Sequence, residues 1–248
     1  MTSELSGTTA LVTGGTSGIG RATAVALAGL GAQVVLSGRD EYRGEQVAKD
    51  IRAAGGRAVF LAADLLDEAS ARSLAARARE VVGHVDILVN NAGIFPFGPT
   101  AQTSERDFDA VFNLNVKVPY FLVAELAPMM AERGHGAIIN VTTMVAEIGA
   151  AEMGLYGSSK AALVLLTKAW AAEYGPHGVR VNAVSPGPTR TEGTAAMGDS
   201  LDELAATVPA GRAGTAEEIA DAITYLATDR SSFVYGAILP VDGGRVAV

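Results

Sequence analysis

Short apolar runs alternate with longer amphipathic stretches along most of the chain. The run at Thr8–Thr13 is typical of a buried strand, because it is apolar, short and bounded by turn residues. The segment Glu41–Ala54 instead carries apolar residues at helical spacing. We predict strands at Thr8–Thr13, Gln33–Ser37, Ala58–Ala62, Ile87–Asn90, Ala137–Val141, Val179–Val184 and Ala237–Val241. We predict helices at Gly20–Leu30, Glu41–Ala54, Asp67–Val82, Phe108–Arg133, Tyr156–Tyr174 and Ala216–Thr228.

Strands and helices that alternate in this way indicate a parallel sheet with helices on both faces. Right-handed crossovers then give a doubly wound α/β fold, here with seven strands in the sheet. Because the sequence has no linker-like segment and no internal repeat, we expect residues 1–248 to form a single domain. The helix at Phe108–Arg133 is expected to break near Pro119 or Pro128. The stretch Pro186–Gly214, rich in Gly, Pro and Thr, predicts a mobile loop over a site.

Charge and composition exclude several classes of function. The chain has 19 Lys and Arg against 27 Asp and Glu, a formal net charge of −8, which disfavours nucleic acid and anionic membranes as partners. It has no cysteine, which excludes disulfides, thiolate catalysis and cysteine-ligated metals. His84, His135 and His177 lack the spacing of metal ligands, so we expect no metal site. No apolar run reaches the length of a signal-peptide core or a membrane span, which favours a cytoplasmic location.

Glycine is the residue type in excess, with 29 in 248 residues against a usual ~7%. Four of them lie in Thr13–Gly20, between the first predicted strand and the first predicted helix. Such a turn lets backbone N–H groups and a helix N-terminus bind a phosphate without side-chain clashes, whereas a single glycine there would indicate only a tight turn. The GxGxxG spacing is absent, and Arg21-Ala22 stand where a P-loop has Lys-Ser/Thr. A phosphate-binding turn is therefore expected, but not an NTPase.

Tyr156 and Lys160 are one helical turn apart in a predicted helix and therefore share a helix face. A free phenol has a pKa near ~10 and is a poor acid or base at neutral pH. A neighbouring ammonium group favours the phenolate and is expected to lower that pKa toward the range useful for general acid–base catalysis. Tyr and Lys at this spacing also occur on solvent-exposed helices. The pair therefore indicates a catalytic site only in combination with the phosphate-binding turn.

Four motifs in order give the chain a family resemblance. They are the Thr-Gly-x-x-x-Gly-x-Gly turn at Thr13–Gly20, Asn90-Asn91-Ala92-Gly93, Tyr156-Gly-Ser-Ser-Lys160 and Asn182-Ala-Val-Ser-Pro186-Gly187. With this order and separation, the sequence resembles the short-chain dehydrogenase/reductase family, in its short single-domain subgroup, over its whole length. The resemblance implies an NAD(P)-binding Rossmann domain. It also implies cofactor contacts from Gly14, Thr16, Ser17, Gly18, Ile19, Gly20, Asp64, Leu65, Asn91, Ala92, Gly93, Tyr156, Lys160, Pro186, Gly187, Thr189 and Thr191.

By this resemblance, a hydride passes between a nicotinamide and a carbonyl or carbinol carbon. Tyr156 would exchange the proton with the oxygen, and Lys160 would lower the tyrosine pKa and hold the nicotinamide ribose. Asn115 matches the family asparagine that organises a proton-relay water. Where the family has a serine that hydrogen-bonds the reacting oxygen, this chain has Thr143, which keeps the hydroxyl but adds a methyl group. We expect Thr143 to serve, with weak or altered activity as the alternative.

The end of the second predicted strand bears on the choice of nucleotide. NAD enzymes of this fold usually place an acidic residue there, whereas this chain has Gly38 followed by Arg39. A guanidinium suits a 2′-phosphate, so NADP(H) is favoured and NAD(H) remains possible; the alternative for Arg39 is a surface pair with Asp40 or Glu41. The family pattern places mostly apolar residues at the substrate, which suggests a partly apolar ketone or secondary alcohol: Phe95, Thr143, Met144, Met153, Tyr156 and Pro188.

The sequence therefore predicts an NADP(H)-dependent oxidoreductase that interconverts a ketone and a secondary alcohol. The alternative is a catalytically weak nucleotide-binding regulator of the same fold. The feature that favours this alternative is Thr143, which stands where the family has a serine. A small-molecule carbonyl or alcohol is the expected partner, and a homo-oligomer, a tetramer or a dimer, is implied by the resemblance alone.

Overall fold

A computed structural model describes residues 4–248 of the chain. Seven parallel strands form one sheet in the order β3-β2-β1-β4-β5-β6-β9, and the two short strands β7 and β8 pair separately. The strands are β1 Thr9–Thr13, β2 Gln33–Gly38, β3 Arg57–Ala62, β4 Ile87–Asn90, β5 Gly136–Val141, β6 Val179–Pro186, β7 Thr189–Arg190, β8 Gly214–Thr215 and β9 Ile238–Val241. The order reverses between β1 and β4, so the predicted doubly wound sheet of seven strands in a single domain is confirmed.

Eight α-helices connect the strands. They are α1 Gly18–Gly29, α2 Glu41–Ala53, α3 Glu68–Val82, α4 Glu105–Phe112, α5 Val118–Arg133, α6 Gly154–Tyr174, α7 Asp199–Ala206 and α8 Ala216–Ala227. Several start where the sequence supplies a cap. Asp67 accepts a hydrogen bond from the Ser70 N–H at the start of α3, and Thr215 accepts one from the Glu218 N–H at the start of α8.

Each face of the sheet is covered by its own apolar cluster. On one face, Val12 of β1 packs with Leu27 of α1 and Ile223 of α8. On the other face, Leu11 packs with residues of α3, α5 and α6, among them Leu122 of α5. Adjacent residues of β1 therefore enter opposite clusters, as the period of two in a strand requires. Both faces of the sheet are buried, which explains why the strands appear in the sequence as unbroken apolar runs.

The helical segment Glu105–Arg133 is interrupted next to Pro119, one of the two prolines near which the sequence predicts a break. A π-helical turn at Asn113–Lys117 separates α4 from α5, while Pro128 lies inside α5 without ending it. Pro119 has no N–H and cannot donate to the carbonyl of Asn115 four residues before it, which accounts for a disturbance one turn upstream. Within residues 4–248, Glu105–Arg133 is the one helical segment that is long and apolar enough to span a bilayer. Its Leu122 and Leu126 are buried in the core.

The segment Pro186–Gly214 is more ordered than the sequence predicts. It contains β7, which pairs in parallel with β8, and the two-turn helix α7. Leu201 and Ala205 of α7 form a small cluster with Ala213. The prediction of an irregular loop is therefore wrong for α7, because two turns with three acidic residues among eight give too weak a periodic signal.

Candidate active site

One large cleft lies at the carboxyl ends of the strands, where the strand order reverses. Its volume is about 1370 Å³, enough for a dinucleotide and a small substrate together. The predicted site residues that line it are Gly14, Thr16, Ser17, Gly18, Ile19, Arg39, Asp64, Leu65, Asn91, Ala92, Gly93, Phe95, Thr143, Met144, Met153, Tyr156, Lys160, Pro186, Gly187, Pro188, Thr189 and Thr191. Two predicted site residues, Gly20 and Asn115, do not line it.

Gly20 acts through packing instead of contact with the cleft. A Cβ on Gly20 would lie 2.2 Å from the carbonyl oxygen of Gly14 and 2.4 Å from Nδ2 of Asn91. The missing side chain lets α1 start directly against the turn, so that the first N–H groups of the helix face the cleft. Gly14 and Gly18 have φ of 64° and 50°, a left-handed conformation that glycine adopts without strain.

We expect Gly20→Ala to abolish dinucleotide binding and to destabilise the fold by about 2–3 kcal/mol, because the new Cβ overlaps backbone that cannot move away. Gly29→Ala in the same helix is the matched control. Among the described residues, no heavy atom lies within 4 Å of a Cβ at Gly29, so that variant should keep binding and gain up to ~1 kcal/mol. Equilibrium unfolding and a cofactor titration on both variants check the pair. Equal behaviour of the two would contradict the packing role.

Asn91 and Thr13 hold the ends of β1 and β4 together beneath the turn. The Asn91 side-chain amide donates to the Thr13 carbonyl at 2.9 Å and to the Gly14 carbonyl at 3.2 Å. The Thr13 hydroxyl accepts from the N–H groups of Asn91 and Ala92, both at 3.0 Å. Thr13 was not among the predicted site residues, although it opens the glycine motif. These hydrogen bonds hold the ends of β1 and β4 in place at the point where the strand order reverses, beneath the cleft.

Tyr156 and Lys160 lie in the first two turns of α6, on the face toward the cleft. This end of α6 approaches the chain after β5 closely, since a Cβ on Gly157 would lie 2.6 Å from the Val145 carbonyl oxygen. The Lys160 ammonium donates to the Val141 carbonyl at the end of β5, with an Nζ to O distance of 2.7 Å. Lys160 is 3% exposed. The pair is thus held between α6 and β5 at the base of the cleft.

Burial controls the acidity of both groups. It raises the pKa of Tyr156 to about 12, and the Thr143 side chain opposes part of that rise. It lowers the pKa of Lys160 to about 8. The predicted lowering of the tyrosine pKa by the lysine is therefore wrong for the protein alone, because desolvation dominates and the effect that opposes it comes from Thr143. At neutral pH the phenol is protonated and can donate a proton.

Thr143 takes the position beside Tyr156 that the sequence predicts for it. It lines the cleft, is 8% exposed and is close enough to the phenol to oppose the rise in the Tyr156 pKa. The hydroxyl of its neighbour Thr142 is occupied elsewhere, donating to the Val184 carbonyl at 3.0 Å. Of the two adjacent threonines, Thr143 is thus the one that can contact a substrate oxygen.

Asn115 is fully buried in the π-helical turn, and its side chain is used for tethering. Its amide donates to the Ile94 carbonyl at 2.9 Å and to the Ser159 hydroxyl at 3.0 Å, while its Oδ1 accepts from the Ile94 N–H at 3.0 Å. Ser159 in turn donates to the Tyr156 carbonyl at 2.7 Å. Asn115 therefore joins the segment after β4 to the helix that carries Tyr156. Sequence reasoning missed Ser159, although it lies inside the Tyr-x-x-x-Lys motif.

The other end of the cleft, at β2, is basic. Arg39 lines it, and within residues 4–248 no carboxylate forms an ion pair with the Arg39 guanidinium. Asp40 pairs instead with Arg43, at 2.7 Å, and holds its position at the start of α2. A Cβ at Gly38 would lie 2.6 Å from the Thr16 methyl carbon, so a side chain at this position would require Thr16 to move. Arg43 also lines the cleft and was missed, although it follows Arg39 at the same edge.

The substrate side of the cleft is mostly apolar. The centroid of the Phe95 ring lies 6.0 Å from the centroid of the Tyr156 ring and 6.1 Å from that of the Phe97 ring. Met144, Met153 and Pro188 also line this side, together with Met197 and Leu201 from the segment that carries α7. In the part of the chain that the structure describes, no three His, Asp or Glu side chains are grouped to hold a metal ion.

Comparison with known proteins agrees with this geometry. A family model described as enoyl-(acyl carrier protein) reductase matches residues 14–245. An uncharacterized oxidoreductase from Thermotoga maritima is 39% identical over 249 residues, covering 98% of this chain and 98% of the relative.

Solved structures are similar over the same length. A short chain dehydrogenase/reductase family protein is 52% identical with a TM-score of 0.92, covering 99% of this chain and 100% of that one. A blue fluorescent protein from a metagenomic library, solved in complex with NADPH, is 36% identical with a TM-score of 0.93, covering 97% and 98%. With a family model and relatives that match almost its entire length, the chain belongs to the short-chain dehydrogenase/reductase family of oxidoreductases.

Proposed function

We propose that the protein is an NADP(H)-dependent oxidoreductase that interconverts a ketone and a secondary alcohol. The observation that carries the proposal is the convergence of Tyr156, Thr143 and Lys160 on the cleft that the glycine turn also lines. A proton donor, a second hydroxyl and a buried amine at a nucleotide-sized cleft are the groups that carbonyl reduction requires.

In the direction of reduction, the Thr143 hydroxyl and the Tyr156 phenol both bind the carbonyl oxygen of the substrate. The chemistry that a nicotinamide dinucleotide would supply, when bound at the glycine turn, is a hydride for the carbonyl carbon. Tyr156 is protonated at neutral pH, because burial raises its pKa to about 12, and it gives its proton to the developing alkoxide. Lys160, held by the Val141 carbonyl, stabilises the phenolate that remains. The product is a secondary alcohol, and Tyr156 regains its proton from solvent.

The preference for NADP(H) rests on the basic end of the cleft. Arg39 and Arg43 both line it. Because none of the described ion pairs includes Arg39, its guanidinium is available to bind a phosphate. Gly38 itself offers no carboxylate for a ribose hydroxyl, and a Cβ there would lie 2.6 Å from the Thr16 methyl carbon. This end of the cleft therefore supports recognition of a 2′-phosphate, which NADP(H) carries and NAD(H) lacks.

We expect Arg39→Ala to raise the Kd for NADPH about 10- to 100-fold and to change the Kd for NADH by less than about twofold, since a charge-assisted contact is worth roughly 1.5–3 kcal/mol. Arg57→Ala removes an exposed arginine at the start of β3, at the amino end of the strands and so away from the end at which Arg39 lies, and is the matched control. Fluorescence titrations of both nucleotides measure the two ratios. A parallel loss of NADPH and NADH affinity would count against a 2′-phosphate site at Arg39.

The apolar side of the cleft supports a hydrophobic ketone as substrate, and the net charge of −8 argues against docking of an acidic carrier protein. The test is an activity panel with NADPH that compares aryl and cyclic ketones, sugar ketones and short acyl thioesters. Turnover of the hydrophobic ketones supports the proposal. Tight binding of NADPH without turnover of any class would favour a nucleotide-responsive regulator instead.

Self-association is part of the proposal, because large apolar side chains are exposed on neighbouring surface helices. Tyr120 of α5 is 47% exposed and Leu165 of α6 is 68% exposed. Phe233, before β9, is 98% exposed. Association of identical chains would bury these side chains, as is usual for exposed apolar patches of this kind.

A further inference from the structure

Glu192, two residues after β7, lies over the first turn of α1. Its Oε2 accepts a hydrogen bond from the Gly18 N–H at 2.8 Å. Its Oε1 lies 3.0 Å from the Arg21 guanidinium. Both oxygens of one carboxylate thus contact the segment that the glycine motif prepares for a phosphate.

The contact reflects close packing of the two segments. A Cβ on Gly18 would lie 3.2 Å from the Cβ of Thr191, so the segment after β7 rests directly on the turn. In the described structure, the side chain of Ser17, the residue before α1, makes no capping hydrogen bond. Glu192 therefore provides the acceptor that the start of α1 lacks locally.

The charges around Glu192 are those that an anionic ligand needs. Burial raises its pKa, but its own backbone N–H, the Gly18 N–H, Arg21 and Arg43 outweigh that effect and hold the pKa below the ordinary value. The carboxylate is therefore ionised at neutral pH. The N–H group, the helix N-terminus and the two arginines that stabilise it are the same donors that would attract the diphosphate of a dinucleotide.

We propose that Glu192 is an internal anion that competes with the diphosphate of the dinucleotide for the start of α1 and thereby sets the affinity of the cleft for its cofactor. This inference rests on the proposed function, since it requires a dinucleotide at the glycine turn. Binding either displaces the carboxylate, freeing Gly18 N–H and Arg21, or leaves a negative charge beside the diphosphate. Both courses oppose binding, by a lost contact or by repulsion. Glu192 and Arg21 are each nearly half exposed, so the carboxylate can turn into solvent.

Glu192→Gln tests the charge while preserving the shape. A glutamine keeps an oxygen to accept the Gly18 N–H, so the segment after β7 stays in place. We expect the Kd to fall about three- to tenfold for NADPH and by the same factor for NADH, because the diphosphate is common to both. The gain should shrink as salt is raised. Glu132→Gln makes the same charge change at an exposed position near the end of α5, on the opposite face of the sheet from α1, and should leave both Kd values unchanged.

Titration of NADPH and NADH against wild type and the two variants separates this inference from the proposed function. An unchanged Kd in Glu192→Gln, or the same gain in Glu132→Gln, would overturn the competition. Weaker binding in Glu192→Gln would also overturn it and make Glu192 a clasp on the bound cofactor. If neither wild type nor Glu192→Gln binds a dinucleotide, the proposed function fails and the inference fails with it. If Glu192→Gln binds and wild type does not, the competition is supported in its strongest form.

Discussion

Tyr156→Phe is expected to lower kcat for ketone reduction by about 10²- to 10⁴-fold, the range that a positioned general acid contributes, while the Kd for NADPH stays within about twofold of wild type. Among the described residues, Tyr156 is the one tyrosine that lines the cleft, and it lies there with Thr143 and Lys160. Removing its oxygen leaves the developing alkoxide without a proton. It leaves the glycine turn and the basic end at Arg39 untouched.

The matched control is Tyr174→Phe, which removes a second phenol from the same helix. Burial also raises the pKa of Tyr174 to about 12. The two tyrosines therefore have a similar phenol pKa but differ in their position relative to the cleft. Tyr174 is the last residue of α6 and does not line the cleft. Steady-state kinetics and NADPH titration on both variants give the comparison. If Tyr156→Phe retained turnover, or lost it together with NADPH binding, Tyr156 would not be the acid.

Lys160→Met is expected to lower kcat about 10²-fold or more and to change the pH dependence of stability. The buried amine has a pKa of about 8, against 10.5 for a free lysine. The folded protein therefore binds fewer protons than the unfolded chain between about pH 8 and pH 10.5, and the lysine contributes stability that increases as pH rises through that interval. Below pH 8 that contribution is lost, because folding then buries a charged ammonium.

Between pH 7.5 and pH 10.5, the unfolding free energy of wild type should accordingly rise relative to that of Lys160→Met. The expected rise is on the order of 3 kcal/mol. Loss of the hydrogen bond to the Val141 carbonyl also costs stability, but equally at each pH, so it cancels in this comparison. Lys168→Met, at an exposed position of the same helix, should show no such change. Urea unfolding at several pH values measures it, and a flat difference would mean that burial does not shift the lysine.

The sheet and most helices could be predicted because their signals are local and repeated. The apolar runs at β1, β4 and β5 are buried on both faces, so they appear as continuous runs whichever way the chain is oriented. For the π-helical turn at Asn113–Lys117, Pro119 indicated a break nearby, but the contacts of Asn115 within the turn leave no signal in the sequence.

The site could be predicted to the level of residues, but not of their individual tasks. Spacing placed Tyr156, Lys160 and the glycine turn correctly at one cleft. Spacing does not report burial, and burial reverses the direction expected for the Tyr156 pKa. The contact of Glu192 with Gly18 joins residues 174 positions apart, and no local pattern indicates it. The packing role of Gly20 likewise appears only when the Gly14 carbonyl is in place.

The central claim is direct hydride transfer between NADPH and a carbonyl carbon at the Tyr156 cleft. It is tested most directly with NADPH that carries deuterium at both hydrogens of nicotinamide C4, incubated with the wild-type protein and each ketone of the panel. We expect mass spectrometry of the product to show one deuterium on the carbinol carbon and none in solvent. An alcohol without the label, or no alcohol from any ketone despite bound NADPH, would contradict the account.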